Sequence, residues 1–131
     1  MKIIEVLYLD VKGNKRPKIV KIDNNTNEDL YKLIGCDAID IVERKFGGKR
    51  FLVVCDDEAL LKEKPILSVY SQNAYEYVYG NIIIANRDGE DLDSITNVDY
   101  WRIVSRLATL RTDTRRYCLC VDKGEKWTNY H

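Results

Sequence analysis

Apolar residues recur along this chain mostly at period two, and the clearest instance runs from Ile39 to Asp57, IDIVERKFGGKRFLVVCDD. Two runs of branched and aromatic residues flank Gly47-Gly48 there. Adjacent glycines reach the positive φ of a tight primed turn without steric cost, so the pattern predicts a β-hairpin with a two-residue loop. That loop sets the register: Phe46 faces Lys49, Arg44 faces Phe51, Val42 faces Val53 and Asp40 faces Cys55, all on one face. The other face carries Ile39, Ile41, Leu52 and Val54 near the base, with Glu43, Lys45 and Arg50 toward the tip. Because the base is apolar on both sides, the hairpin is expected at the centre of a sheet, covered by helix on one face and further protein on the other.

The same alternation predicts other strands. Ile3 to Leu9 and Lys18 to Ile22, joined by a turn at Lys12-Gly13-Asn14-Lys15, form a second hairpin, with Pro17 suited to a strand entrance or edge. Asp23 to Glu28 is dense in side chains that cap helix amides. Leu30, Leu33 and Ile34 follow at helical spacing before Gly35, which predicts a short helix over about 27–34. Asp56-Asp57-Glu58 reads as the start of a helical turn over Ala59-Leu60-Leu61. From Lys62 to Tyr79 periodicity is poor and a meandering loop is expected. Asn81 to Asn86 is a buried strand closed by the polar turn Arg87 to Asp91, and Tyr117 to Val121 is a last strand. Tyr100 to Leu107, behind several N-cap candidates from Ser94 to Asp99, is the best helix, with Val98, Trp101, Val104 and Leu107 as its apolar stripe. The sum is an α+β fold: a mixed, mostly antiparallel sheet of about five to six strands, with a short early helix and a longer late helix packed on it.

Length and composition narrow the function classes. The 131 residues fit one domain, 1–131, whose polar tail, 123–131, is expected to be ordered only in part. No apolar run nears the ~20 residues that cross a bilayer, and MKIIEVLYLD meets Glu5 and Asp10 too early for a signal peptide, so a cytoplasmic protein is expected. Net charge is zero, with 21 basic and 21 acidic residues. That balance argues against long nucleic acid or an anionic membrane as partner. Cysteines 36, 55, 118 and 120 form no CxxC pair and the one histidine is the last residue, so neither a metal nor another cofactor is called for. Nor is there a nucleophile–base pair, a Gly-rich phosphate loop or HExxH, which makes an enzyme the poorer expectation.

The candidate chemistry is therefore that of binding. Tyr75, Tyr77 and Tyr79 alternate, and in an extended segment they line one face. Packing at a sheet edge is the commoner role for such rings; a stacking platform for a base is the functional one, worth ~1–3 kcal/mol per base. Arg102 and Arg106, four apart on the expected late helix, are more often a solvated flank than a fork for phosphate, but they have the spacing for one. Arg44, Lys45, Lys49 and Arg50 surround the two glycines of the hairpin tip as a possible second anion site, or form merely a soluble hairpin end.

The stretches MKIIEV, CDAIDIVERKFGGKRFLVVCDDEALLKEKP, GNIIIAN and SITNVDYW, in that order, resemble a family of small, mostly phage and Firmicute proteins that is an uncharacterised domain class. The pattern is also similar to the phage signal-sequestering family called Thoeris anti-defence protein one. The likeness extends to about Leu110, through motifs that are structural rather than catalytic. It implies a non-catalytic homo-oligomer, a dimer or hexamer, that binds cyclic ADP-ribose isomers made by bacterial immune TIR-domain enzymes, and in some members cyclic oligonucleotides. On that resemblance Tyr75 or Tyr77 would stack the base, Arg102 and Arg106 would hold the pyrophosphate, and Asn86 would contact a ribose. The competing expectation is a protein-binding antagonist of phage or mobile-element origin that covers a host protein surface.

Overall fold

A computed structural model describes residues 1–62, 65–70, 77–110 and 116–121. The hairpin forms as its sequence predicts: β3 (Ile39–Phe46) and β4 (Lys49–Asp56) pair antiparallel with Phe46 opposite Lys49 and Asp40 opposite Cys55. Before it come β1 (Ile3–Leu9), β2 (Lys18–Asp23) and the helix α1 (Glu28–Ile34), which ends on Gly35. After it come a 3₁₀ turn at Ala59–Leu61, β5 (Leu67–Tyr70), β6 (Val78–Tyr79), β7 (Ile82–Asp88), β8 (Asp91–Asp93), α2 (Asn97–Val104), β9 (Leu107–Leu110) and β10 (Arg116–Cys120).

The fold is α+β. Six strands form one antiparallel sheet in the order β2-β1-β7-β4-β3, with β8 pairing β7. Its central strand is β7, not the hairpin, and β3 lies at the edge. The reason is visible in β3 itself, where polar residues alternate with apolar ones and Ile41 is 45% exposed. Two backbone groups of this edge strand are occupied by its own side chains: Asp40 Oδ1 accepts from the Ile41 amide and Arg44 donates to the Glu43 carbonyl. Such local bonds blunt an edge against strand addition.

Both faces of the large sheet are buried, and the period-two pattern sorts them. Ile4, Val6, Tyr8, Leu52, Val54, Ile83 and Ala85 meet Leu30 and Ile34 of α1. Leu7, Leu9, Phe51, Val53, Ile82 and Ile84 face the opposite way, against Val69, Val78, Ile103 and Leu119. Each fully buried side chain of this kind contributes about 1.5–3 kcal/mol. Of these partners Ile103 belongs to α2, and the others to a smaller sheet, β6-β5-β10-β9, in which β5 and β10 run parallel. Part of the expected loop from Lys62 to Tyr79 is thus strand. A four-residue strand paired with a segment fifty positions away, and a two-residue strand paired with the first, leave no local periodicity.

α2 starts earlier and faces differently from the sequence expectation. Thr96 and Asp99 form a reciprocal capping box, so the helix begins at Asn97, and it ends at Val104. The buried positions are Asp99 and Ile103, while Val98 and Trp101 are 66% and 68% exposed. Val98 and Trp101 of the expected apolar stripe therefore point outward, while Leu107, past the end of the helix, packs against the core. No helix among the described residues is long and apolar enough to cross a membrane.

Candidate functional site

The residues singled out from the sequence gather in two places, with opposite outcomes. The first is the junction between the hairpin tip and α2. Asp99 accepts from Lys49 Nζ at 2.9 Å, from Asn86 Nδ2 at 2.7 Å and from the Thr96 amide at 3.0 Å. Burial by itself would raise the Asp99 carboxyl; the bonds from Lys49, Thr96 and Asn86 outweigh it and hold the group well below the usual carboxylate range. Asn86 donates also to the Ser94 carbonyl at 3.0 Å. Arg102 Nη1 donates to the Gly47 carbonyl at 2.7 Å, and its side chain packs so closely over the turn that a Cβ on Gly47 would lie 2.4 Å from Arg102 Cγ.

Three of the candidates, Asn86, Lys49 and Arg102, thus converge around Asp99 and Gly47, where they fasten the helix to the hairpin. Arg102 and Arg106 do not share a helix face, because α2 ends before Arg106; the Arg106 carbonyl instead accepts from the Cys120 amide. The hairpin cations divide likewise. Lys45 and Arg50 stand opposite each other on one face, and Arg50 and Arg87 both reach Glu43, at 3.3 and 3.4 Å. Lys49 and Arg44 lie on the other face, Lys49 near the tip and Arg44 toward the base.

The second place is an open cleft of about 280 Å³ beside the base of that face. Asp40, Val42, Arg44 and Cys55 of the hairpin form one side, and Tyr77, Val78 and Tyr79 at β6 another. Asp56 to Leu61, including the 3₁₀ turn, completes the lining. Tyr77 is 46% exposed. Arg44 Nε here and Arg102 Nε at the junction are both buried and have no hydrogen-bond partner among the described residues. The Cys55 thiol is pushed up to about 11 by burial and by the Asp40 carboxylate, so at neutral pH it is protonated and a poor nucleophile.

Chemically the cleft offers ring faces, one guanidinium and four carboxylates: Asp40, Asp56, Asp57 and Glu58. Two of the four are already engaged in part, since Asp56 is paired with Lys62 and Asp40 Oδ1 accepts from the Ile41 amide. The remainder suit hydroxyl and amino donors, and Arg44 suits an anionic oxygen. Among the described residues no group of His, Cys, Asp or Glu side chains has a metal-binding arrangement.

The sequence places Arg44 in a separate tip site, which the structure does not bear out, whereas the helical turn expected after Asp56–Glu58 is present at Ala59–Leu61. Its hairpin register nonetheless put Asp40, Val42, Arg44 and Cys55 on one face, and that was the available signal for the cleft. Tyr77 lies in it together with Tyr79. Tyr75, His131, Trp127 and the tail lie outside the described residues. No curated protein and no solved structure matches the chain. The profile of one family of domains of unknown function matches residues 2–107, most of the chain, and this protein belongs to that family, DUF3846.

Proposed function

We propose that this is a non-catalytic binding protein of phage type that withholds a compact cyclic nucleotide immune signal, a cyclic ADP-ribose isomer or a cyclic oligonucleotide, in the cytoplasm of an infected host. The observation that carries the reading is the cleft shared by Tyr77, Tyr79 and Arg44. A purine stacks on an exposed tyrosine face for ~1–3 kcal/mol whatever its sequence context. The Arg44 guanidinium, which lines the cleft, takes a phosphate oxygen, and Asp40, Asp57 and Glu58 accept from ribose hydroxyls and base amino groups. Carboxylates repel a second phosphate, so the ligand sits with its phosphates at the Arg44 side. The protonated Cys55 favours capture over attack on the ligand.

The test is native mass spectrometry of the purified protein with cyclic ADP-ribose isomers and cyclic oligonucleotides, followed by denaturation and weighing of the released ligand. Expected is a bound ligand recovered at unchanged mass, and weaker binding by Tyr77→Ala and Arg44→Gln. Absence of binding across the panel, or a recovered ligand of altered mass, overturns the proposal.

A second reading, a protein-binding antagonist, draws on the exposed Val98 and Trp101 one turn apart on α2. The same face would serve homo-oligomer assembly as a dimer or hexamer. Size-exclusion chromatography of Trp101→Glu separates these: a smaller species means self-assembly through α2, and an unchanged size with loss of a host protein partner favours antagonism.

A further inference from the structure

On the other side of the Asp56–Ala59 segment lies a second pocket, of about 160 Å³, which the proposed function does not use. Its walls are apolar over much of their extent, from Ile34 at the end of α1, Ile66 and Ala59. Gly80, at a φ of +85°, lines it opposite the Ala59 methyl, which would lie 4.0 Å from a Cβ there. At its polar end stand Lys12 and Lys62.

The two lysines differ. Lys62 Nζ is paired with the Asp56 carboxylate, whose side chain is only 7% exposed, and donates to the Gly35 carbonyl at 3.1 Å. That pair is electrically neutral, and it satisfies a carbonyl at the C-terminus of α1 that would otherwise disfavour an anion. Lys12 is anchored only through its backbone amide, which donates to Asn81 Oδ1 at 3.3 Å. Its ammonium has no ion pair among the described residues and stands close to Gly35. One uncompensated ammonium at the mouth of an apolar hollow is a site for an anion with an apolar body. Empty apolar cavities of about 150 Å³ accept a benzene-sized ring.

We infer that this pocket is a second binding site, specific for a small monoanion with an apolar body, such as an aromatic or branched-chain carboxylate, seated with its charge on Lys12 and its body against Ile34 and Ile66. It is independent of the Tyr77 cleft, so either assignment can fail alone.

The experiment is a ¹H–¹⁵N NMR titration of the full chain with benzoate, benzamide and inorganic phosphate. Benzoate shifts the Ala59, Ile66 and Gly80 amides saturably, with a dissociation constant on the order of 1 mM. Benzamide, of the same shape without the charge, binds about tenfold more weakly, and phosphate, which lacks the apolar body, shifts those amides little. Lys12→Met lowers benzoate affinity about tenfold while Lys12→Arg retains it, the amide dispersion of both variants reporting that they are folded. Equal binding of benzoate and benzamide on the unaltered chain overturns the inference, as does phosphate matching benzoate. So does an unchanged Lys12→Met, or benzoate shifts that are absent or confined to other residues.

Discussion

The hairpin meets the rest of the protein twice, and its two meeting places use polar residues in opposite ways. At the tip, Lys49, Asn86, Thr96 and Arg102 close on Asp99 and Gly47, and each of the four donates to an acceptor in the fold, although Arg102 Nε, buried there, has no partner among the described residues. At the base, the Arg44 guanidinium, Tyr77, Tyr79 and the carboxylates of Asp40, Asp57 and Glu58 border open volume. A polar side chain with its partners inside the fold holds structure. One that borders space is available for a ligand, and residue type alone does not distinguish the two.

Substitutions at the tip should therefore act on stability. The largest effect is expected at Asp99: Asp99→Ala strands the Asn86 amide and the Thr96 amide and removes half of the capping box, costing about 3 kcal/mol in chemical denaturation. A loss under about 1 kcal/mol would mean that water replaces the carboxylate and that the tip is no firmer than the base. Because the folded Asp99 carboxyl titrates below its unfolded value of about 3.9, its contribution is complete above that pH and is lost as pH falls toward the folded value. Denaturation followed from pH 6 downward should thus show a shallower acid limb below about pH 4 in Asp99→Asn than in the parent.

Next in size, Gly47→Ala combines a φ of +58° with contact on Arg102 and should cost about 2 kcal/mol. Gly48→Ala has φ +84° but nothing within 4 Å, and about 1 kcal/mol is expected. Equal thermal shifts for the two would show that Arg102 yields freely and does not clamp the turn.

The base should show the converse. Tyr77→Ala and Arg44→Gln are expected to change stability by about 0.5 kcal/mol or less while lowering ligand affinity about tenfold, measured by calorimetry with whichever cyclic nucleotide binds. Arg102→Gln should do the opposite, losing about 1.5 kcal/mol of stability with affinity unchanged. A drop in affinity there would return the tip to the ligand site. The smallest effect on folding is expected from Trp101→Ala, within about 0.5 kcal/mol, since that ring is mostly in solvent.

The two ends of the hairpin also differ in how legible they were. Register, turn and facing residues were readable because Gly47-Gly48 and the alternation act over neighbouring positions, and the same holds for β1, β2, α1 and the buried run of β7. The orientation of α2 was not. Its apolar stripe suggested Val98 and Trp101 inward, but the helix is turned by Asp99, whose bonds to Thr96, Asn86 and Lys49 outweigh an apolar face that finds no cover among the described residues. β5, β6, β8 and β9 were missed because each is short and stabilised by partners that periodicity does not see.

By itself the amino-acid order determined five of the six strands of the large sheet, the hairpin register and the α+β class, because alternation and turn chemistry are local and leave few arrangements open. Only the tertiary structure decided that β7 holds the centre, that Asn86 and Arg102 spend their hydrogen bonds on the fold, and that Arg44 and Tyr77 border one cleft. Those outcomes depend on which distant groups come within about 3 Å of one another, and hydrogen-bond partners at that range are chosen by packing, which no local pattern encodes.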